Sequence, residues 1–188
     1  ALINDAVADL ATGARCGAFL SGGLDSSTVA GVLATVKPAD ADTFSIGFDV
    51  PGYDETGYAR IAAERFGTRQ HVRYVDADDV LAAVQTISAH YDEPFGNSSA
   101  IPAYYCAQLA RETGVERLLA GDGGDELFAG NERYLKQKVF GHWQRLPPTL
   151  RDALLAGLHA LPAVGPLAKA RSYIHQAETP LPDRLETY

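Results

Sequence analysis

The chain has 188 residues, 46% of them hydrophobic and 21% charged, a balance that fits a folded globular protein and excludes a disordered one. Its 16 basic and 24 acidic residues leave a formal charge of -8, which excludes a general electrostatic attraction for nucleic acid. No apolar run is long enough to span a bilayer and no signal peptide is legible, so no membrane partner is expected and the expected compartment is the cytoplasm.

Leu2, Ile3, Ala6, Val7 and Leu10 recur at helical spacing and predict a helix over residues 2–11. The apolar run Cys16-Gly17-Ala18-Phe19-Leu20 has the length of a buried strand and is broken by Ser21-Gly22-Gly23. Residues 25–36 read as a helix with Val29, Val32, Leu33 and Val36 on one face, stopped by Lys37-Pro38. Thr43-Phe44-Ser45-Ile46-Gly47-Phe48 is the second strand, and the loop after it holds Pro51 and Gly52. A helix over 55–66 ends at Gly67, and residues 70–75 alternate as a third strand. Residues 78–90 form a helix with Asp76 or Asp78 as its cap; Ser98 or Ser99 starts another that ends before Gly114. Arg117-Leu118-Leu119-Ala120 is the fourth strand and runs straight into Gly121-Asp122-Gly123-Gly124.

Strands alternating with helices at this spacing predict an α/β fold, an open and mostly parallel sheet with helices on both faces. The pattern changes near Asn131. The remainder reads as a helical tail punctuated by Pro147-Pro148, Pro162, Pro166, Pro180 and Pro182. The expected organisation is therefore a ligand-binding α/β part over residues 1–131 and a helical extension of the same domain over 132–188.

The sharpest feature is Ser21-Gly22-Gly23-Leu24-Asp25-Ser26-Ser27, placed between a strand and a helix. Glycines let the backbone turn tightly and approach a ligand, and the free N–H groups of the helix start favour an anion such as phosphate. A helix cap with a tight turn is the bland alternative; the full run after a strand favours phosphate. The spacing is not that of a Walker A loop and no lysine is near, so transfer of a terminal phosphoryl group is not the expected chemistry. Asp25 beside a phosphate requires a cation between them, and Mg²⁺ is the usual one. The second loop, Gly121-Asp122-Gly123-Gly124-Asp125-Glu126, also leaves a strand's carboxyl end, where ligands gather in such sheets. Asp25 and Asp125 are thus expected to share Mg²⁺. Glu126 reads as readily as a helix cap.

At these loops the chain resembles the ATP-pyrophosphatase (PP-loop) family, and within it the synthetase domain of glutamine-dependent asparagine synthetases. The matching stretches run in order: residues 19–27, 43–48, Tyr91-Asp92-Glu93-Pro94-Phe95, Ser98-Ser99-Ala100-Ile101-Pro102, and 121–130 with Arg133-Tyr134. The resemblance implies that a carboxylate, aspartate being favoured, attacks the α-phosphorus of ATP, that pyrophosphate leaves, and that ammonia or another amine converts the acyl-adenylate to an amide and AMP. It implies nucleotide contacts at Leu20, Ile46, Ala120 and Gly121, pyrophosphate contacts at Ser21, Gly22, Gly23, Asp25 and Ser26, Mg²⁺ at Asp25 and Asp125, and a catalytic part for Asp122. Relatives often carry Glu where Asp122 stands, which sets its carboxylate about one methylene back. A homodimer is an assembly the resemblance allows.

The family's glutaminase domain and its downstream Arg-Val-Pro-Phe-Leu-Asp-type stretch and lysine are not among these residues. With no methionine present, the chain is expected to be an excerpt of a longer protein. Ammonia is expected from a glutaminase domain outside it, and the isolated residues are expected to bind ATP weakly and not to turn over. Other amide-forming relatives, β-lactam synthetases and lasso-peptide cyclases, share the implied intermediate; a non-catalytic ATP-binding module is a further alternative. A tRNA-thiolating enzyme is disfavoured by the charge and by two scattered cysteines.

The remaining residues have bland readings. Cys16 and Cys106 form no CxxC pair and are expected as small buried hydrophobes. His71, His90, His142, His159 and His175 show no metal-ligand spacing, and Trp143 is expected in a core or interface. Arg60, Arg65 and Arg69 are expected on a solvated helix face and its exit. Asp92-Glu93-Pro94-Phe95 is read equally as pocket lining and as a turn.

Overall fold

The computed structural model describes residues 2–180 except 51, 94, 95, 129, 131, 161, 163 and 164. The chain divides into two compact units, Ala1–Gly123 and Gly124–Tyr188. The change of pattern read near Asn131 falls on a residue outside the described ones. Among the described residues no helix is long and apolar enough to cross a membrane.

The first unit holds α1 (Leu2–Ala11), β1 (Cys16–Phe19), α2 (Leu24–Val36), β2 (Asp42–Phe48), α3 (Thr56–Phe66), β3 (Arg69–Val75), α4 (Ala77–His90), α5 (Ala100–Glu112) and β4 (Arg117–Leu119). All four strands pair in parallel, in the order β3-β2-β1-β4. Parallel neighbours require crossovers, and the helices that make them cover both faces. Cys16, Ala18 and Leu20 point to one face, where Val7 and Ala11 of α1, Ala30 and Leu33 of α2, and Ala59 and Ala63 of α3 close over them. On the other face Phe44 meets Cys106 and Ala110 of α5, while Val75 meets Ala83 of α4 and Tyr105 of α5. Leu33 and Phe44 are fully buried, each adding about 1.5–3 kcal/mol by leaving water. Burial on two faces explains why β1 reads as a continuous apolar run, while edge strand β3 alternates.

Local signals set the helix ends. Asp76 caps α4 in a capping box, its carboxylate accepting from the Asp79 N–H at 2.9 Å while Asp79 accepts from the Asp76 N–H at 3.3 Å. Gly67 closes α3 in the left-handed region, as read from sequence. Both cysteines are buried and free, and burial pushes the Cys106 thiol up to about 12.

Arg69 is exposed at the exit of α3, as read, and in addition opens β3 opposite Asp42 and donates to that carboxylate at 2.5 and 2.9 Å. Arg15 adds a bond at 3.2 Å and His71 one at 2.8 Å, and the His71 ring stacks on Phe44. Asp42 is fully buried. Burial alone would raise its pKa; the bonds from Arg69, His71 and Arg15 outweigh it and hold the carboxyl well below the usual range. A carboxylate only accepts, so His71 Nε2 carries the proton of their bond. Arg60 and Arg65 are exposed, as read.

The second unit contains α6 (Gly124–Phe128), α7 (Glu132–Gln144), α8 (Pro148–Ala160) and α9 (Pro166–Glu178). Prolines open α8 and α9, where a missing N–H costs no helical bond. Phe140 of α7 meets Tyr173 of α9 edge-on, with ring centroids 6.1 Å apart. Trp143 and Arg151 both donate to Glu178, at 2.5 and 3.3 Å.

Candidate functional site

The strand order puts the direction of winding in conflict at one place. From β1 the chain moves outward to β2 and β3, then returns to lay β4 on the other side of β1. A crevice opens outside the carboxyl ends where winding reverses, and that is where ligands settle in open α/β sheets. The loops after β1 and β4 are the two that flank this point.

After β1, Leu20 extends the ladder by one bond, its N–H donating to the Phe44 carbonyl at 2.9 Å. The next residues turn into α2 through a web of hydroxyls. Ser21 N–H donates to Ser26 Oγ at 3.2 Å, the two hydroxyls meet at 3.0 Å, and Gly23 N–H donates to Ser21 Oγ at 3.3 Å. Gly22 sits at φ +87°, and a Cβ on it would lie 2.5 Å from Tyr58 Cβ and 2.7 Å from the Ala59 nitrogen. Only glycine satisfies both the backbone angle and that contact with the first turn of α3. Gly121, after β4, is equally tight: a Cβ there would stand 2.8–2.9 Å from Asp25 and the Ser26 nitrogen. The two loops therefore touch, backbone against backbone, at the start of α2.

They share one cavity of about 520 Å³. Of the ten residues singled out in the first unit, Leu20, Ser21, Gly23, Asp25, Ser26, Ile46, Ala120, Gly121 and Asp122 line it. Gly22 does not, because it faces α3. Asp125 belongs to the second unit, in the first turn of α6.

The cavity has two characters. Asp25 and the hydroxyls stand at the α2 N-terminus, whose free N–H groups favour an anion. Phe19, Phe44, Ile46 and Phe48 form an apolar wall. Ser99, Pro102 and Ala103 reach in from the start of α5, so part of the 98–102 stretch lies at the site. Asp92 and Glu93 are exposed; Pro94 and Phe95 lie outside the described residues.

Sequence reasoning missed the rim made by Tyr53, Glu55 and Thr56 and the buried Ser45. The rim had a legible signal in Asp54-Glu55-Thr56. Asp54 accepts from the Thr56 N–H at 3.1 Å, a bond that lowers its pKa, and Thr56 Oγ1 meets the Tyr74 hydroxyl at 3.2 Å. Ser45 had none, because its partners are set by sheet register.

Among the described residues no three His, Cys, Asp or Glu side chains cluster as a self-sufficient metal cage. Mg²⁺ needs no such cage, since it is held by one or two carboxylates together with phosphate oxygens. Asp25, on the cavity wall beside the phosphate-type loop, fits that donor set.

The asparagine synthase family model matches residues 1–186. A putative glutamine-hydrolysing asparagine synthetase 2 of Methanocaldococcus jannaschii is 43% identical over 136 residues, covering 72% of this chain and 26% of the relative. Glutamine-hydrolysing asparagine synthetase 1 of Bacillus subtilis is 32% identical over 168 residues, 89% of this chain and 26% of that protein. The chain thus spans about a quarter of the length of these relatives. A solved glutamine-dependent NAD+ synthetase of Acinetobacter baumannii aligns at 16% identity and TM-score 0.49, over 68% of this chain and 26% of that one.

Proposed function

We propose that this chain, which belongs to the asparagine synthase family, is the ATP-binding part of a carbon–nitrogen ligase that activates a carboxylate, aspartate being favoured, as an acyl-adenylate. The observation that supports this most is the contact of the two glycine-rich loops around one cavity at the winding reversal.

The division of labour follows from the cavity's two characters. Ser21, Gly23 and Ser26 offer hydroxyl and N–H donors to pyrophosphate, the group on which charge builds as it leaves. In the described geometry those donors bond one another, so phosphate oxygens exchange for bonds that already exist. Leu20, Ile46, Ala120 and Gly121 frame the nucleoside, with the apolar wall taking the adenine. Asp122, on the cavity wall, is assigned the orienting of the attacking carboxylate or amine. Mg²⁺ held by Asp25 together with phosphate oxygens would supply neutralisation of the leaving pyrophosphate. Ammonia reaches the adenylate from a glutaminase domain of the longer protein.

The test is an assay of the full-length protein carrying this chain, with aspartate and other carboxylic acids, for AMP and pyrophosphate. Stoichiometric AMP and pyrophosphate with asparagine formation is the expected result. ADP and phosphate would refute the adenylate chemistry. AMP release dependent on a different acid would move the function to another amide synthetase. Asp25→Asn should raise the Mg²⁺ requirement and lower the rate about a hundredfold, equivalent to about 2.7 kcal/mol of transition-state stabilisation.

A further inference from the structure

Ser45 is 4% exposed, and its hydroxyl donates to the Leu20 carbonyl at 2.6 Å. Gln70, on edge strand β3, donates its amide to Ser45 Oγ at 3.2 Å. Neither side chain belongs to the glycine-rich loops, yet both are aligned with the first of them. The Leu20 carbonyl and the Ser21 N–H are two ends of one peptide plane, which is rigid. One end is held by Ser45; the other donates to Ser26 Oγ, the centre of the hydroxyl web. A continuous chain of bonds therefore runs from β3 through β2 to the end of β1 and into the loop.

We propose that Ser45 and Gln70 are positioning residues for the nucleotide: Ser45 fixes the tilt of the Leu20–Ser21 peptide, and Gln70 fixes the Ser45 hydroxyl. The loop's donors must point at the phosphates within a few tenths of an ångström to work at full strength. A strand-end peptide without a lateral anchor turns about its own axis, and Ser26 turns with it. Ser45 supplies that anchor from inside the sheet, where water does not compete. Gln70 supplies the donor that leaves the Ser45 proton free only for Leu20.

This inference rests on the ATP-binding reading above, and the experiment separates the two. The full-length protein carrying this chain is titrated with Mg²⁺-ATP as wild type, Ser45→Ala, Gln70→Leu and the double variant, and KM for ATP and kcat are measured for each. Ser45→Ala is expected to weaken Mg²⁺-ATP binding about tenfold, the size of one placed hydrogen bond. Gln70→Leu is expected to weaken it about threefold, and the double variant no more than Ser45→Ala alone, because Gln70 acts through Ser45. KM for ATP should rise in the same proportions, and kcat at saturating ATP should fall in the same order of variants, because the same donors meet the leaving pyrophosphate. A merely structural role would lower kcat through loss of folded protein and leave the affinity of the rest unchanged. Wild-type affinity in Ser45→Ala, or effects of the two substitutions that multiply, would overturn the inference alone. If Ser45→Ala does not fold, unchanged affinity in Gln70→Leu overturns it. Absence of Mg²⁺-ATP binding by the wild-type protein overturns the ATP-binding reading and this inference with it.

Discussion

The two ends of the same four-stranded sheet treat charge in opposite ways. At the amino ends, Asp42 is fully buried and engages Arg15, Arg69 and His71 at once. At the carboxyl ends, among the described residues, neither Asp25 nor Asp122 has an ion-pair partner, and the serine hydroxyls bond one another in reach of solvent. One end commits its polar groups to the fold; the other leaves them on the wall of the cavity. Polar residues in a sheet are thus better sorted by which strand end they occupy than by residue type.

Substitutions at the two ends should separate stability from affinity. The largest effect is expected for Asp42→Ala, which strands two guanidinium groups and a histidine. A buried pair broken on one side costs about 3–5 kcal/mol, and the half-exposed arginines put this one near about 3 kcal/mol. Hydrogen exchange of the β1 and β2 amides in the full-length protein should speed accordingly, while ATP affinity of the folded fraction stays unchanged. Equal loss of affinity would erase the distinction between the ends.

Gly22→Ala should act the other way. Its Cβ meets α3 at 2.5 Å and its φ of +87° disfavours any side chain. ATP-dependent pyrophosphate release is expected to fall about a hundredfold, or about 2.7 kcal/mol, with a smaller stability loss. Retained activity would show that the loop tolerates displacement.

Acid sharpens the comparison further. Asp42 has a pKa lowered by folding, so its stabilisation is present above the unfolded value of about 4 and is lost as pH falls through the folded value. The stability gap between wild type and Asp42→Asn should therefore shrink progressively below about pH 4. A gap independent of acid would remove the charge from the account. The smallest effect concerns Cys106, which touches the cavity yet is 4% exposed and pushed up to about 12. It should resist alkylation at pH 8 in the folded protein and react once denatured, as read by mass spectrometry.

Much of this was legible along the chain because the signals were local. Gly67 ended its helix where read, Asp76 was the one of the two candidate caps that began α4, all four strands fell within a residue or two of expectation, and both glycine-rich loops followed strands. What escaped was set by register. Asp42 meets Arg69 because β2 and β3 align there, and nothing near Arg69 distinguishes it from a solvated helix exit. Ser45 gains its role from Leu20 and Gln70, on two different strands. Gly22 was read as a phosphate contact, but its tight approach to α3 appears only when that helix is in place.

The order of the strands also bears on synthesis. Gly17 pairs with Asp42 on one side and with Leu118 on the other. The ribosome delivers the first partner early and the second only after α3, α4 and α5 have emerged, and closing so long a span slows assembly. The serine-bearing wall of the crevice can be built on a nascent chain, whereas the Gly121 wall must wait for β4. During that interval the unpaired flank of β1 is open to wrong strands, and a chaperone that shields it would act on the very edge that later completes the cavity.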